Sequence, residues 1–303
     1  MSESGGSRAV FAALLANLGI AVSKFAAYFF TGSSSMLSEG LHSVADSGNQ
    51  VLLMVGRKRA RRAATEEHPF GYGRSRYVYA FIVSIVLFSL GGIFALAEGV
   101  LKIAHPEELK SPVWAFAVLI VAIALEAFSL RTAVKESNHE RRGVPWDRFV
   151  RGAKAPELPV VLLEDTGALL GLVFALFGVS AAVLTRDGRW DGAGSLAIGA
   201  LLVVIAIFLA LEMNSLLIGE SGSAEHVAAI RKAIEAGEDI ERIIHLKTLH
   251  LGPDTLMVAA KIAVRNDETA ASVARAIDAA ESRIRSAVPI AHVIYLEPDI
   301  FRK

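Results

Sequence analysis

The chain has 303 residues, 53% of them hydrophobic, with 31 basic and 31 acidic side chains and no cysteine. Its mean hydropathy is +0.46, and its charges gather in short blocks between apolar runs, as in membrane proteins rather than soluble domains of this length. Disulfides and thiolate metal sites are excluded, so any metal must be held by imidazole, carboxylate or neutral oxygen ligands; the zero net charge speaks against a nucleic-acid partner.

Six apolar stretches approach or exceed the ~20 residues needed to cross the hydrocarbon core. They cover residues 9–30, 34–56, 78–101, 112–134, 158–184 and 193–217. The first, after Arg8, is too long for a cleavable signal and lacks a small-residue cleavage site, so it is read as a span. The second, within SEGLHSVADSGNQVLLMVGR, carries His42 and Asp46. Residues four apart share a helix face, and an ionisable residue at membrane depth is a functional-site hypothesis by default.

The loops set an expected orientation. Arg57, Lys58, Arg59, Arg61, Arg62, Arg74 and Arg76 lie between spans two and three, and Arg131, Lys135, Arg141, Arg142, Arg148, Arg151 and Lys154 between spans four and five. The opposite loops are poor in basic residues, which places both termini in the cytoplasm by the positive-inside rule. The basic run 57–62 also suits contact with anionic lipid headgroups.

After span six, LLIGESGS leads out of the membrane and the pattern changes. Residues 223–236 read as an amphipathic helix, IERIIHLKTLHLG and TLMVAAKIAV as strands joined at Gly252-Pro253-Asp254, 267–287 as a helix capped by Asp267, and IAHVIYLEP as a last strand. The expected fold is thus a six-helix membrane domain, residues 1–220, followed by a small α+β (αββαβ) cytoplasmic domain, residues 221–303. One sheet face of that domain is left available for dimerisation.

His42 and Asp46 present an imidazole nitrogen and a carboxylate oxygen one helical turn apart, half a site for zinc, manganese, iron, cobalt or nickel. The blander reading is an interhelical hydrogen-bond pair or a metal-free proton relay. Two ligands on one helix cannot complete a tetrahedron, so a facing helix is needed. Span five offers Glu164 and Asp165 in VLLEDTGALLGL. Asp165 is the third expected ligand. Glu164 lies about 100° around the helix from it, and either joins the site, serves as a proton-linked or lip residue, or pairs with a cytoplasmic-side arginine.

Other polar residues read as architecture. Glu98, Glu126 and Glu212, near span ends or within spans three, four and six, are expected to anchor at the interface or pair with basic loops, and Asn17, Lys24, Glu39 and Asn49, flanking the site, to bridge helices, with Asn17 or Asn49 the candidates for orienting a ligand. The small residues of SSSMLSEGLHSVADSG allow close helix approach. Glu66, Glu67 and His68 could form a peripheral metal site, with Gly71 and Gly73 shaping a tight lead-in to span three. His105 and His139 read as ordinary loop histidines, and His245, His250 and His292 as strand residues.

His42-Ser43-Val44-Ala45-Asp46, with HPFGYGRSRYVYAF, LLEDTGALLG and LLIGES, resembles the cation diffusion facilitator family over nearly the whole chain. The wording is nearest the branch of the mitochondrial-type zinc transporter and its bacterial relatives. The resemblance implies a homodimeric carrier, not an enzyme, that exchanges a divalent cation, typically Zn2+, for protons in a cell membrane, with a bacterial inner membrane expected here. It implies a transport site of His42, Asp46 and Asp165.

The family commonly carries a histidine four residues before that span-five aspartate, where this chain has Val161. Water, Glu164 or another helix must then fill the position, which can broaden selectivity toward Mn2+, Fe2+, Co2+ or Ni2+. A second family site keeps His68 but has Tyr72 and Thr65 at its other positions, and is expected to be weak or absent. In the C-terminal domain His245 and Glu297 match ligand positions, whereas Ala260 and Tyr295 replace histidines, so dimerisation by packing rather than by a metal cluster is expected.

The mechanism that follows is alternating access, in which metal and proton compete for the same lone pairs. There is no Walker motif and no organic cofactor is called for. The alternatives are a metal-sensing or metal-gated channel, a membrane hydrolase, for which no nucleophile or substrate groove is evident, and a purely structural dimer, which the charges at membrane depth disfavour.

Overall fold

The computed structural model describes residues 3–31, 34–106, 112–237 and 239–301; among the helical residues, the side chains of 3–5, 31, 34–39, 41, 42 and 45 lie outside that description. The chain divides into two compact units, Met1–Lys58 with Arg76–Asn214, and Arg59–Ser75 with Ser215–Lys303.

The first unit is helical. In chain order it comprises α1 (Glu3–Thr31), α2 (Ser34–Ala60), α3 (Ser75–Val86), a π-helical stretch (Leu87–Ile93), α4 (Phe94–Ala104), α5 (Pro112–Arg141), the short α6 (Trp146–Gly152), α7 (Glu157–Thr185) and α8 (Arg189–Ile218). Five segments among the described residues are long and apolar enough to cross a bilayer: Gly6–Phe30, Ser75–Ala104, Pro112–Arg141, Glu157–Thr185 and Arg189–Ile218. The chain is therefore an integral membrane protein. α2, expected as another span, is a helix of 27 residues, about 40 Å at 1.5 Å per residue. Its Ser, Glu, Asp, Asn and Gln residues keep it outside the five.

The outer surface of these helices is apolar. Phe29, Phe177 and Leu184 are among the most exposed large side chains, the inverse of a soluble fold and what lipid solvates. Inside, α1, α5 and α7 pack on one another. α4 approaches α8 closely because glycine stands at the contact: a Cβ at Gly99 would come within 2.8 Å of the Gly192 carbonyl and of Leu196. Small residues let helix backbones come together where lipid supplies no hydrophobic drive.

The second unit contains α9 (Ala224–Glu235), β1 (Ile240–Gly252), β2 (Thr255–Val264), α10 (Ala270–Ala287) and β3 (Ala291–Asp299), in the expected αββαβ order. The sheet runs β1-β2-β3, antiparallel between β1 and β2 and parallel between β2 and β3. Ile230 and Ile234 of α9 and Ala280 and Ile284 of α10 cover it with Val258, Ile262 and Leu296 in one core.

Both helices of this unit are capped by hydroxyls: Ser223 accepts from His226 N–H and Thr269 from Ser272 N–H. The second cap corrects the expectation of Asp267. Asp267 precedes α10 by three residues, too far to reach its first free N–H groups. The segment 59–75 belongs to this unit. Gly71 adopts φ +78°, a left-handed conformation suited to glycine, and Gly73 packs on the backbone of Leu251 and Gly252, where a Cβ would collide.

Candidate functional site

α1, α2, α5 and α7 of the membrane unit present polar side chains toward a shared interior. α2 carries Ser43, Asp46, Ser47, Asn49 and Gln50, of which the two serines and the two amides are buried. Such a polar helix sits stably among apolar neighbours only if its groups find partners. Ser47 donates to the Ser43 carbonyl at 3.0 Å, and Lys24 of α1 donates to Ser43 Oγ at 3.0 Å.

Glu164 on α7 is held at both carboxylate oxygens. Asn49 Nδ2 donates to its Oε1 at 2.9 Å and Gln50 Nε2 to its Oε2 at 3.0 Å. Asn17 Nδ2 of α1 donates in turn to Gln50 Oε1 at 3.3 Å. Two amide donors per carboxylate compensate part of its desolvation and fix its plane. Glu164 is therefore no arginine partner; Arg76 instead makes a bidentate pair with the buried Glu157, at 2.5 and 2.7 Å, joining the starts of α3 and α7.

Asp165, adjacent on α7, is 1% exposed and accepts from Ser129 Oγ of α5 at 2.6 Å. The 100° offset between neighbours on a helix thus sends Glu164 toward α2 and Asp165 toward α5. Asp46 lines a cavity of about 250 Å3 with Asn17, Lys24, Glu126 and Glu164. The cavity follows α7 from Glu164 to Val179, about 22 Å of helix. At its far end Lys102 bridges Glu98 and Asp191, each at 2.9 Å. Glu98 thus pairs within the bundle rather than with a basic loop.

Of the sequence-derived candidates, Asp46 and Glu164 meet at this cavity and Asp165 lies beside it. His42 falls on α2 one turn before Asp46, and its side chain lies outside the described residues. Val161 is fully buried and supplies no donor. Among the described residues no three His, Cys, Asp or Glu side chains stand close enough together to hold an ion; the carboxylates ring a space without forming a closed shell. That also leaves Glu66, Glu67 and His68 without a joint metal site. His68 instead stacks edge-on against Tyr72, centroids 4.6 Å apart, and its N–H donates to Thr65 Oγ1 at 3.1 Å.

The sequence reading of Glu126 as an interface anchor or a partner of a basic loop is corrected by the structure. Glu126 is 2% exposed, on the inner face of α5, and lines the cavity. The signal was available: it is the only charged residue between Pro112 and Leu130.

In the second unit, His245, Lys261 and Glu297 pair across β1, β2 and β3 in one row. Lys261 binds Asp299 at 3.0 Å and Glu297 at 3.1 Å. Its hydrogen bonds to Asp299 and Glu297 hold the ammonium above its usual range, so the row carries a fixed positive charge between two metal-competent side chains.

Comparison with known proteins adds independent information. Residues 10–218 match the family described as "cation efflux transmembrane domain" and residues 223–299 that described as "cation efflux protein, cytoplasmic domain". The human and mouse proteins named "proton-coupled zinc antiporter SLC30A9, mitochondrial" are 32% and 31% identical over 231 residues, which is 76% of this chain and 41% of theirs. The chain thus spans less than half the length of those relatives. Metal tolerance protein C4 of Arabidopsis thaliana is 28% identical over 84% of this chain and 56% of its own. The manganese efflux system protein MneP of Bacillus subtilis is 22% identical over 79% of this chain and 78% of its own.

Proposed function

Because the chain belongs to the cation diffusion facilitator family, whose members are cation efflux transporters and not enzymes, we propose that it exchanges a divalent cation, with Zn2+ as the leading substrate, for protons by alternating access. The observation that carries this reading is the concentration of Asp46, Glu126, Glu164 and Asp165 inside a membrane bundle, with Lys24 nearby. Carboxylates grouped in a low-dielectric interior repel one another and lose hydration. A divalent cation or bound protons relieve both penalties, and the two compete for the same oxygens.

His42, Asp46 and Asp165 are the proposed ligands, on α2 and α7. Glu164 is proposed to border the ion, its plane set by Asn49 and Gln50. In this reading α2 is the sixth span, its low apolarity a consequence of carrying the site. Basic loops facing the cytoplasm put both termini there, and the C-terminal unit pairs two copies of the chain. Division into a transport domain over 1–220 and a dimerisation domain over 221–303 follows. A bacterial inner membrane is the proposed location.

Zinc is named in the SLC30A9 relatives and manganese in the Bacillus one, so the substrate must be measured. In proteoliposomes loaded at a defined internal pH, a panel of Zn2+, Mn2+, Fe2+, Co2+ and Ni2+ is expected to give saturable flux that collapses when the pH gradient is dissipated. Flux indifferent to the gradient would favour a metal-gated channel instead.

A further inference from the structure

The position left by Val161 needs a donor, and the cavity wall supplies one. We propose that Glu126 of α5 is a ligand of the transported cation, completing with His42, Asp46 and Asp165 a set of one imidazole and three carboxylates. This rests on the reading that Asp46 and Asp165 bind the cation.

Three observations carry it. Glu126 is 2% exposed and lines the cavity with Asp46 and Glu164, yet it makes no hydrogen bond or ion pair among the described residues. A buried carboxylate without a donor is strongly disfavoured unless something positive reaches it. The charges acting on it most are Asp165, Glu164 and Asp46, with Lys24 opposing them. A cation drawn by those carboxylates into the cavity would meet the Glu126 wall as well.

Next, Glu164 is the obvious rival for the open position, and both its oxygens are already held by Asn49 and Gln50. Swinging it onto an ion would strip two buried amides of their acceptor. Glu126 moves without breaking any such bond. Lastly, Ser129, three residues on and so on the same helix face, donates to Asp165 Oδ2. That contact fixes the Glu126 face of α5 against the ligand-bearing face of α7 and leaves Asp165 Oδ1 for the ion. Because the carboxylates ring the cavity without closing into a shell, binding requires the Glu126 side chain to swing inward from α5.

A set richer in oxygen than a two-imidazole site is better suited to harder cations, since carboxylate oxygens suit Mn2+ and imidazole suits Zn2+. The predicted substrate class therefore extends to Mn2+ beside Zn2+.

The test uses full-length protein in detergent, with Zn2+ and Mn2+ affinity measured by equilibrium dialysis for the parent, E126Q, E126D, D46A and the double variant V161H/E126Q. E126Q keeps the side-chain volume and removes the charge; E126D keeps the charge and shortens the reach, so a folding failure of one leaves the other informative. Both are expected to weaken Zn2+ and Mn2+ binding by about tenfold or more, the scale seen even for outer-shell losses at metal sites. The double variant is expected to regain Zn2+ affinity but not Mn2+ affinity, because an imidazole then fills the same position. Parental affinity for both ions in E126Q and E126D, with binding lost in D46A, would overturn the role of Glu126 and leave the wider reading standing. Parental affinity in D46A would overturn both.

Discussion

Asn49 and Gln50 do for Glu164 what water does for an exposed carboxylate, and they do it from a neighbouring helix. Asn49→Ala removes one of the two donors and leaves the carboxylate partly unsatisfied, which is expected to destabilise the bundle by about 1–3 kcal/mol. The check is thermal or denaturant unfolding in detergent; an unchanged midpoint would mean that Glu164 finds another donor. At this scale the sequence was informative wherever chemistry is local. The four-residue spacing of His42 and Asp46 puts both on one face of α2 whatever the tertiary packing, and the adjacency of Glu164 and Asp165 forces them apart by about 100°. What each then meets depends on other helices, so that Glu164 turns to amides and Asp165 to Ser129 could not be read from the chain. Glu126 could have been: a lone charge in the middle of an apolar run carries the same warrant as Asp46.

Between elements, a buried polar link of the membrane unit is Arg76 to Glu157, α3 to α7, with both side chains largely buried. Arg76→Ala leaves Glu157 charged and buried without its fork of donors. Breaking a buried pair in this way typically costs about 3–5 kcal/mol, so a large loss of stability is expected, and a near-parental unfolding midpoint in detergent would contradict it. The partners lie 81 residues apart, and no periodicity in the sequence links them. Elements themselves were far more legible. The helical and strand periods of the C-terminal unit gave its order, because each amphipathic face has its own repeat, whereas the start of α10 was misplaced: Asp267 and Thr269 are both good caps, and only backbone geometry chooses.

The row His245–Lys261–Glu297 makes a separate prediction at the same scale. With the Lys261 ammonium seated between the potential ligands, the number of Zn2+ ions bound per protomer is expected to be the same for the parent, H245A and E297Q. A decrease of one ion in either variant would show a metal site on the sheet.

For the whole molecule, the two units divide the work physically. The membrane unit exposes apolar side chains outward and gathers carboxylates inward, an arrangement that stores electrostatic repulsion a cation can relieve. The C-terminal unit has a conventional core under two helices, and among its described residues no carboxylate is buried. Composition and hydropathy made this division evident, since an outward-facing apolar surface and a charged interior require both kinds of residue on one helix. They understated α2, whose polarity, needed to bear Asp46, Asn49 and Gln50, masks its length.

The claim on which the rest depends is that Asp46 and Asp165 together hold the transported cation. Proteoliposomes containing the parent, D46A or D165A, energised by a pH gradient and assayed for uptake of Zn2+ and Mn2+, test it most directly. Gradient-dependent uptake by the parent, and loss of at least about 90% of that rate in each variant, is the expected result, since removing a ligand costs at least the tenfold associated with an outer-shell partner. Uptake at the parental rate in either variant, with protein inserted at parental density, would contradict it.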